Sequence, residues 1–354
     1  MSKYISKRHD KLDAYVPGEQ PQDKKYVKLN TNESPFPPSP FAQRLARQAA
    51  GSLQLYCDPE SGALVKIAAE KYGVSADEII FTNGSDEVLD FAFAAFCDED
   101  TPAVFPDITY GFYPVFATRN GVPYREIPLK EDLTVDVSDY IGAKGTVFIA
   151  NPNAPTGIAL PAADIEKIVA ADPSRVVVVD EAYVDFGGES VLPLIKKYDN
   201  LLVTQTFSKS RSLAGGRLGM GFASHALIAD LKKIKYSFNP YNVNSMTAAA
   251  GIGALLDEEY FQANVASIMK TKEDTVLALG KLGFTSTSSK ANFLFVKHAE
   301  LSGKSVYSAL KDKGVLVRYF DKDRLRDYVR ITVGSAEEMR ALTDALADII
   351  GERK

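Results

Sequence analysis

The stretch Gln205-Thr206-Phe207-Ser208-Lys209-Ser210-Arg211-Ser212-Leu213-Ala214-Gly215-Gly216-Arg217-Leu218-Gly219 decides how the chain is read. An apolar run, Leu201-Leu202-Val203, leads into it. Hydroxyls follow, then Lys209, then a Gly-rich turn with Arg217 eight residues past the lysine. A buried lysine amine condenses with an aldehyde. Hydroxyls, backbone N–H groups and a guanidinium suit a phosphate. Pyridoxal phosphate is both aldehyde and phosphate, so a site for that cofactor is expected, and the rest of the chain must supply its other contacts.

Working outward, strands and helices alternate. Ile79-Ile80-Phe81-Thr82 reads as a strand and is followed by an apolar helix from Ser85. Ala103-Val104-Phe105 is followed by a helix near Tyr113 to Asn120, and Thr146 to Ala150 by a loop and a helix from Ala162. Arg175 to Val179 and Leu201 to Thr204 complete the series. Short continuous apolar runs suit strands buried on both faces, and βα alternation implies a mostly parallel sheet. Before it lies a Pro-rich arm, interrupted by the strand candidate Tyr26 to Leu29. After it come helical patterns over Asn242 to Leu256 and Glu258 to Leu282. A tail with strands at Phe293 to Val296, Val315 to Val317 and Val329 to Val333 follows. The last helix opens on Ser335-Ala336-Glu337-Glu338, a capping-box pattern, with Met339, Leu342, Leu346 and Ile349 along one face. The expected division is an arm over residues 1–40 that joins a small domain, a large cofactor-binding domain over 41–256, and the small domain proper over 257–354.

Composition excludes several classes. The chain has 354 residues, 45% hydrophobic and 25% charged, with a formal net charge of -5. With no basic excess, counterion release on a nucleic acid or anionic membrane offers little, so neither is an expected partner. Cys57 and Cys97 share no metal-like spacing and His9, His225 and His298 are scattered, so neither a disulfide framework nor a metal site is expected. The opening residues lack the apolar segment of a secretory signal, and the cytoplasm is the expected compartment.

The candidate residues sit where strands end. Asp180 closes one strand, within Asp180-Glu181-Ala182-Tyr183. A carboxylate there can hold a proton on a cofactor's pyridine nitrogen, while Tyr183 reaches its phenolic oxygen. The plainer reading is a helix cap, and Lys209 at the end of the next strand favours the functional one. Gly84-Ser85-Asp86 opens a helix and offers N–H groups to a phosphate, provided the Asp86 carboxylate turns away. Asn151-Pro152-Asn153-Ala154-Pro155-Thr156-Gly157 is a rigid loop, in which an Asn side chain can address the ring oxygen or merely form a turn. Tyr110 can stack on a ring or fill the core, and Tyr56 can reach a phosphate or cover a surface. Arg318 and Arg330, in alternating strands, suit an anionic substrate or an ion pair on the sheet face.

Taken in order, Asn83-Gly84-Ser85-Asp86-Glu87, Tyr110, Pro152 to Gly157, Asp180 to Tyr183, Thr206-x-Ser208-Lys209 with Arg217, and Arg330 resemble the fold-type-I pyridoxal-phosphate aminotransferases. Leu29-Asn30-Thr31-Asn32-Glu33-Ser34-Pro35, Pro240 to Asn244 and Val329 to Gly334 resemble the histidinol-phosphate aminotransferase family within it. The resemblance implies an α/β fold, with a large mostly parallel αβα sandwich domain and a smaller α+β domain. It implies transfer of an amino group between histidinol phosphate and 2-oxoglutarate, in histidine biosynthesis. In that role Lys209 would form an aldimine and shuttle a proton. Asp180 would hold the pyridinium, and Tyr183 with Asn153 the phenolic oxygen. Gly84, Ser85, Asp86, Thr206, Ser208 and Arg217 would hold the phosphate, Tyr110 would stack on the ring, and Asn32, Arg318 and Arg330 would meet substrate. The family is a homodimer in which Tyr56 reaches the neighbouring subunit's cofactor. Three positions depart from the pattern. Ala154 replaces an Asn, for which Asn153 would have to substitute. Ser210-Arg211-Ser212 puts an extra cation near the phosphate loop. Tyr319 to Lys322 is atypical. Three other readings of these motifs stay open: an aromatic-amino-acid aminotransferase, a phosphothreonine decarboxylase-like enzyme and a non-catalytic cofactor-binding regulator.

Overall fold

Buried apolar strands dictate the centre of the molecule. The computed structural model describes residues 3–10 and 12–352. The arm contributes β1 (Val27–Lys28). Seven strands then form one sheet: β2 (Ile79–Thr82), β3 (Ala103–Pro106), β4 (Tyr124–Ile127), β5 (Thr146–Ala150), β6 (Val177–Asp180), β7 (Leu201–Thr206) and β8 (Gly219–Phe222), in the order β2-β8-β7-β6-β5-β3-β4. All run the same way except β8, which is antiparallel to both neighbours.

Alternate residues of each strand feed two different cores. Phe81, Val147, Ile149, Val177, Val179, Leu201 and Val203 pack on one side, against helices Gly62–Tyr72, Ala162–Ala170 and Ser245–Leu256. Ile80, Phe148, Val178 and Leu202 pack on the other, against helices Ser85–Phe96, Tyr113–Asn120 and His225–Phe238. Both faces are therefore covered, as a parallel sheet requires.

The tail builds a second sheet from β9 (Phe284–Ser286), β10 (Phe293–His298), β12 (Arg318–Tyr319) and β13 (Tyr328–Thr332), in the order β12-β13-β10-β9 and all antiparallel. Between them β11 (Val315–Leu316) pairs in parallel with β1. A separate core gathers Phe261, Val265 and Ile268 from helix Glu258–Lys281 with Met339, Leu342 and Leu346 from helix Ala336–Gly351, and takes in Leu29 of the arm. The capping box at Ser335 is formed. Among the described residues no helix is long and apolar enough to cross a membrane.

Three strands escape a reading by apolar runs. β4 and β9 are edge strands with mostly exposed or polar residues. β8, Gly219-Met220-Gly221-Phe222, looks like the end of a Gly-rich turn. Its glycines answer close packing, since a Cβ at Gly219 would lie 2.2 Å from the Ser85 nitrogen. The expected strand Val315–Val317 is divided: β11 serves the arm, and the chain shifts at Val317 so that β12 joins β13.

Candidate active site

The parallel strands bring their carboxyl ends to one edge, where ligands of open α/β sheets bind. From that edge leave the segments carrying Gly84 (after β2), Tyr110 (after β3), Asn151 to Gly157 (after β5), Asp180 (ending β6) and Lys209 (after β7). The reversed strand β8 supplies what a fully parallel sheet would not. Its first residue, Gly219, pairs with both Thr82 and Thr206. Arg217, two residues earlier, is thereby held between the β2 and β7 loops.

These residues line an inner cleft shared by Ser85, Asp86, Tyr110, Asp180, Tyr183, Thr206, Ser208, Lys209 and Arg217. One end is cationic and rich in donors. Gly84 takes φ +83°, a region open mainly to glycine, and a Cβ there would meet the Arg217 guanidinium at 2.5 Å. Arg217 itself takes φ +51°. The Thr206 hydroxyl donates to Ser208 Oγ at 3.0 Å and accepts the Ser208 N–H at 3.1 Å. The Asp86 carboxylate is drawn aside, accepting the Tyr110 hydroxyl at 2.7 Å and Arg217 Nη2 at 3.3 Å. The tension between this acid and a bound anion is met by those two donors.

The other end is acidic and dry. Asp180 is buried, and its carboxyl is pushed up to about 7, first by burial and then by the charge of Asp86. The N–H of Ala182 (3.2 Å), the hydroxyl of Tyr113 (3.3 Å) and the charge of Lys209 oppose that rise. Glu181 points the opposite way. Burial pushes it, too, up to about 7, while Gln205, Ser190 and the Val191 N–H donate to it. Tying β6 to β7 and to the loop at 190, it is a structural acid.

Lys209 stands at the mouth. With Tyr110, Ala154 and Tyr183 it borders a second, wider outer cleft. Its amine lies 5.8 Å from the Tyr183 ring centroid. Tyr183 accepts a hydrogen bond from Asn32 Nδ2 at 2.9 Å. Asn32, at φ +55°, is anchored to β13, where Thr332 Oγ1 accepts its N–H. The outer cleft also holds Arg318 and Arg330, which face each other across β12 and β13. Like charges directly opposite repel, yet neither arginine has an ion-pair partner among the described residues. Arg318 donates to the carbonyls of Val16 and Pro17, and Arg330 to that of Asn30. Arg330 rests on the rings of Phe293 and Phe320, and its buried Nε has no partner. Two uncompensated guanidiniums side by side are suited in charge and geometry to an anion.

Some expectations do not gather here. Asn153 lines neither cleft. Its amide donates to the Ile108 carbonyl and Thr156 Oγ1, and its oxygen accepts from Thr109. Both amide hydrogens are thus committed to the segment after β3 and to its own loop, which leaves no donor for the role expected of it as a stand-in for the family's Asn; Ala154 borders the clefts instead. Arg211 adds no cation to the phosphate end. It is buried beneath, stacked 4.1 Å from the Phe261 ring and donating to the Ala254 carbonyl, where it clamps the two cores together. Tyr56 is 84% exposed, stacked on Tyr241, and reaches neither cleft of its own chain. Missed from sequence were Tyr113, whose spacing from Tyr110 was a usable signal, and Tyr15. Tyr15 stacks on Phe112 at 4.2 Å as the arm crosses the outer cleft. Nothing in a Pro-rich arm announces that contact.

Comparison with known proteins agrees with this geometry. Residues 24–346 match the family model described as aminotransferase class I and II. A histidinol-phosphate aminotransferase of Brachyspira hyodysenteriae is 46% identical over 352 residues, 99% of each chain. One of Clostridium botulinum is 46% identical over 353 residues, covering 99% of this chain and all of its own. Among solved structures, the histidinol-phosphate aminotransferase of Sinorhizobium meliloti, in complex with pyridoxal-5'-phosphate, superposes with a TM-score of 0.86 at 26% identity. That match covers 94% of this chain and 92% of the other.

Proposed function

Because the chain belongs to the class I and II aminotransferases and, within them, to the histidinol-phosphate aminotransferase family, we propose that it exchanges an amino group between histidinol phosphate and 2-oxoglutarate. The products of that direction are imidazole-acetol phosphate and glutamate. The observation that carries this is the placement of Lys209 between a cleft ending in Asp180 and a cleft ending in two unpaired arginines.

The residues present fit pyridoxal phosphate. The Gly84 turn, the Ser85 and Asp86 N–H groups at a helix start, the Thr206 and Ser208 hydroxyls and Arg217 form a cradle for a phosphate, and a Cβ at Gly84 would displace the Arg217 guanidinium from it. When bound, the cofactor supplies a carbonyl that takes up the amine and a ring that draws electrons from the substrate. The chain's own groups do the rest. Asp180 holds a proton at the ring nitrogen. Tyr183, itself held by Asn32, addresses the phenolic oxygen, and Tyr110 covers a ring face. The Lys209 amine, at the junction of the clefts, takes the proton from the substrate's Cα and returns it. Arg330, assisted by Arg318, receives the anionic end: the phosphate of one substrate, the carboxylate of the other.

Histidinol phosphate and 2-oxoglutarate given to the cofactor-loaded protein are expected to yield glutamate, and absence of glutamate would sink the reading. Arg330→Ala is expected to raise KM for both histidinol phosphate and glutamate by roughly 10- to 100-fold, the loss of a hydrogen-bonded charge. A rise confined to glutamate contradicts the shared anion site.

The site is shared in a cytoplasmic homodimer on this reading. Tyr56 and Tyr241 stack as an exposed aromatic pair, with Leu53 and Leu55 exposed just before Tyr56, apolar surface of the kind a partner covers. Tyr56 would then reach the partner's cofactor phosphate. Mixing refolded Lys209→Ala and Tyr56→Ala chains is expected to recover activity that neither has alone, since each mixed dimer regains one intact site. No recovery, with mixed dimers present by mass, would assign Tyr56 to its own chain.

A further inference from the structure

One buried polar group has no place in the mechanism above. Tyr113 is 0% exposed. Its ring lies among Phe93, Phe105 and Phe148, at centroid distances of 6.3, 5.6 and 5.9 Å. A phenylalanine would serve that cluster better, because a buried hydroxyl costs stability unless it is bonded. The Tyr113 hydroxyl has one bond, to Asp180 Oδ2 at 3.3 Å. The other carboxylate oxygen accepts the Ala182 N–H. Both oxygens are thus gripped from within the protein, while Asp180 still borders the inner cleft.

The same turn of chain sets the ring contact. Tyr110 and Tyr113 lie at 87° with centroids 5.8 Å apart. Tyr110 lines the cleft and bonds Asp86; Tyr113, three residues on, stands behind the acid. We propose that Tyr113 is a positioning residue for Asp180, aiming the carboxylate at the ring nitrogen and keeping it ionised by donating to it. This rests on the proposed role of Asp180 and adds the group that makes that role workable in a dry site. The other charges facing Asp180 are Asp86, which opposes ionisation, and Lys209, which favours it. Arg217 is engaged with Asp86. At 3.3 Å the bond is long for a hydroxyl donor, so its effect is a modest shift in proton affinity together with a constraint on geometry.

The test uses Tyr113→Phe and the native length of chain. In the cofactor-free protein, carboxyl NMR of labelled aspartate, assigned with Asp180→Asn, is expected to show the Asp180 midpoint rising by about half a pH unit or more, roughly a threefold change in proton affinity. A fluorinated tyrosine at position 113, a stronger donor, is expected to move the midpoint down. The melting temperature should stay level or rise. In the loaded enzyme, kcat is expected to fall several-fold to the same extent with histidinol phosphate and with glutamate, at nearly constant KM, since ring chemistry is common to both. An unmoved midpoint, a loss confined to one substrate, or a loss that tracks a fallen melting temperature each overturns the proposal. The NMR arm needs no cofactor, so it stands or falls separately from the transaminase reading.

Discussion

Lys209→Ala is expected to lower turnover by on the order of 10⁴-fold, because one amine serves both as the cofactor's covalent attachment and as the general base. The structure leaves no understudy. Among the described residues bordering the inner cleft, Lys209 is the one amine, and Arg217 is engaged with Asp86 and Ser208. Lys272, the buried lysine whose amine burial brings down to about 8, is bound to the carbonyls of Phe186, Ser289 and Ala291 and lines neither cleft. Lys235, also buried, is engaged with the Pro59 carbonyl. The fold should survive, since Lys209 makes no hydrogen bond that closes a core and the β7 ladder ends at Thr206. Borohydride treatment followed by peptide mapping checks the assignment: the wild type should carry cofactor on the peptide containing residue 209, and the variant none. A variant that keeps more than about one per cent of turnover, on the acid–base scale above, would move the chemistry to another group.

How much of this was legible beforehand follows from what each residue has to satisfy. β2, β3, β5, β6 and β7 are buried on both faces, so each is built on an apolar run with its polar residues at the ends, and the carboxyl ends point to one edge whatever the loops contain. That is why Asp180 and Lys209 could be found at strand ends. Arg217 could be found by distance from the lysine, but its placement depends on β8, whose glycines hide a strand inside a turn. Asn153 shows the opposite failure. Its type suits a ligand, yet Ile108 and Thr156 take both of its amide hydrogens, and only the fold reveals that. Arg211 sits two residues from Lys209 in sequence yet packs on Phe261 and donates to the Ala254 carbonyl, away from both clefts. The arginine pair at 318 and 330 gains its meaning from register alone. Each reads as an ordinary sheet arginine, and their direct opposition without an acid makes them a candidate site.

Asp180→Asn carries the second large effect, and it runs in opposite directions for function and stability. An amide cannot hold a proton on the ring nitrogen by charge, so turnover is expected to fall by roughly 10²- to 10³-fold, the scale of removing one aligned electrostatic partner. The neutral side chain nevertheless suits a dry pocket better than the acid does. Asp180 and Glu181 both titrate near 7 when folded, against about 4 when unfolded. The folded state therefore binds more protons than the unfolded state between about pH 4 and 7, and stability falls as pH rises through that window, levelling above it. The stabilising contribution of each acid is complete below about pH 4 and lost above about pH 7. The substitution removes one of the two contributions to that slope, so the cofactor-free variant is expected to melt higher than the wild type at about pH 8 and much closer to it at about pH 5. A bound pyridinium supplies the counter-charge that Asp180 lacks, so cofactor should close most of the gap at the higher pH in the wild type and little of it in the variant. Calorimetry of both proteins, with and without cofactor at the two pH values, reads every arm of this comparison. If the Asp180→Asn protein melts lower than the wild type at the higher pH without cofactor, the acid is not held against its own ionisation. A turnover within about tenfold of wild type, well short of the electrostatic scale above, would likewise end its role as the ring's partner.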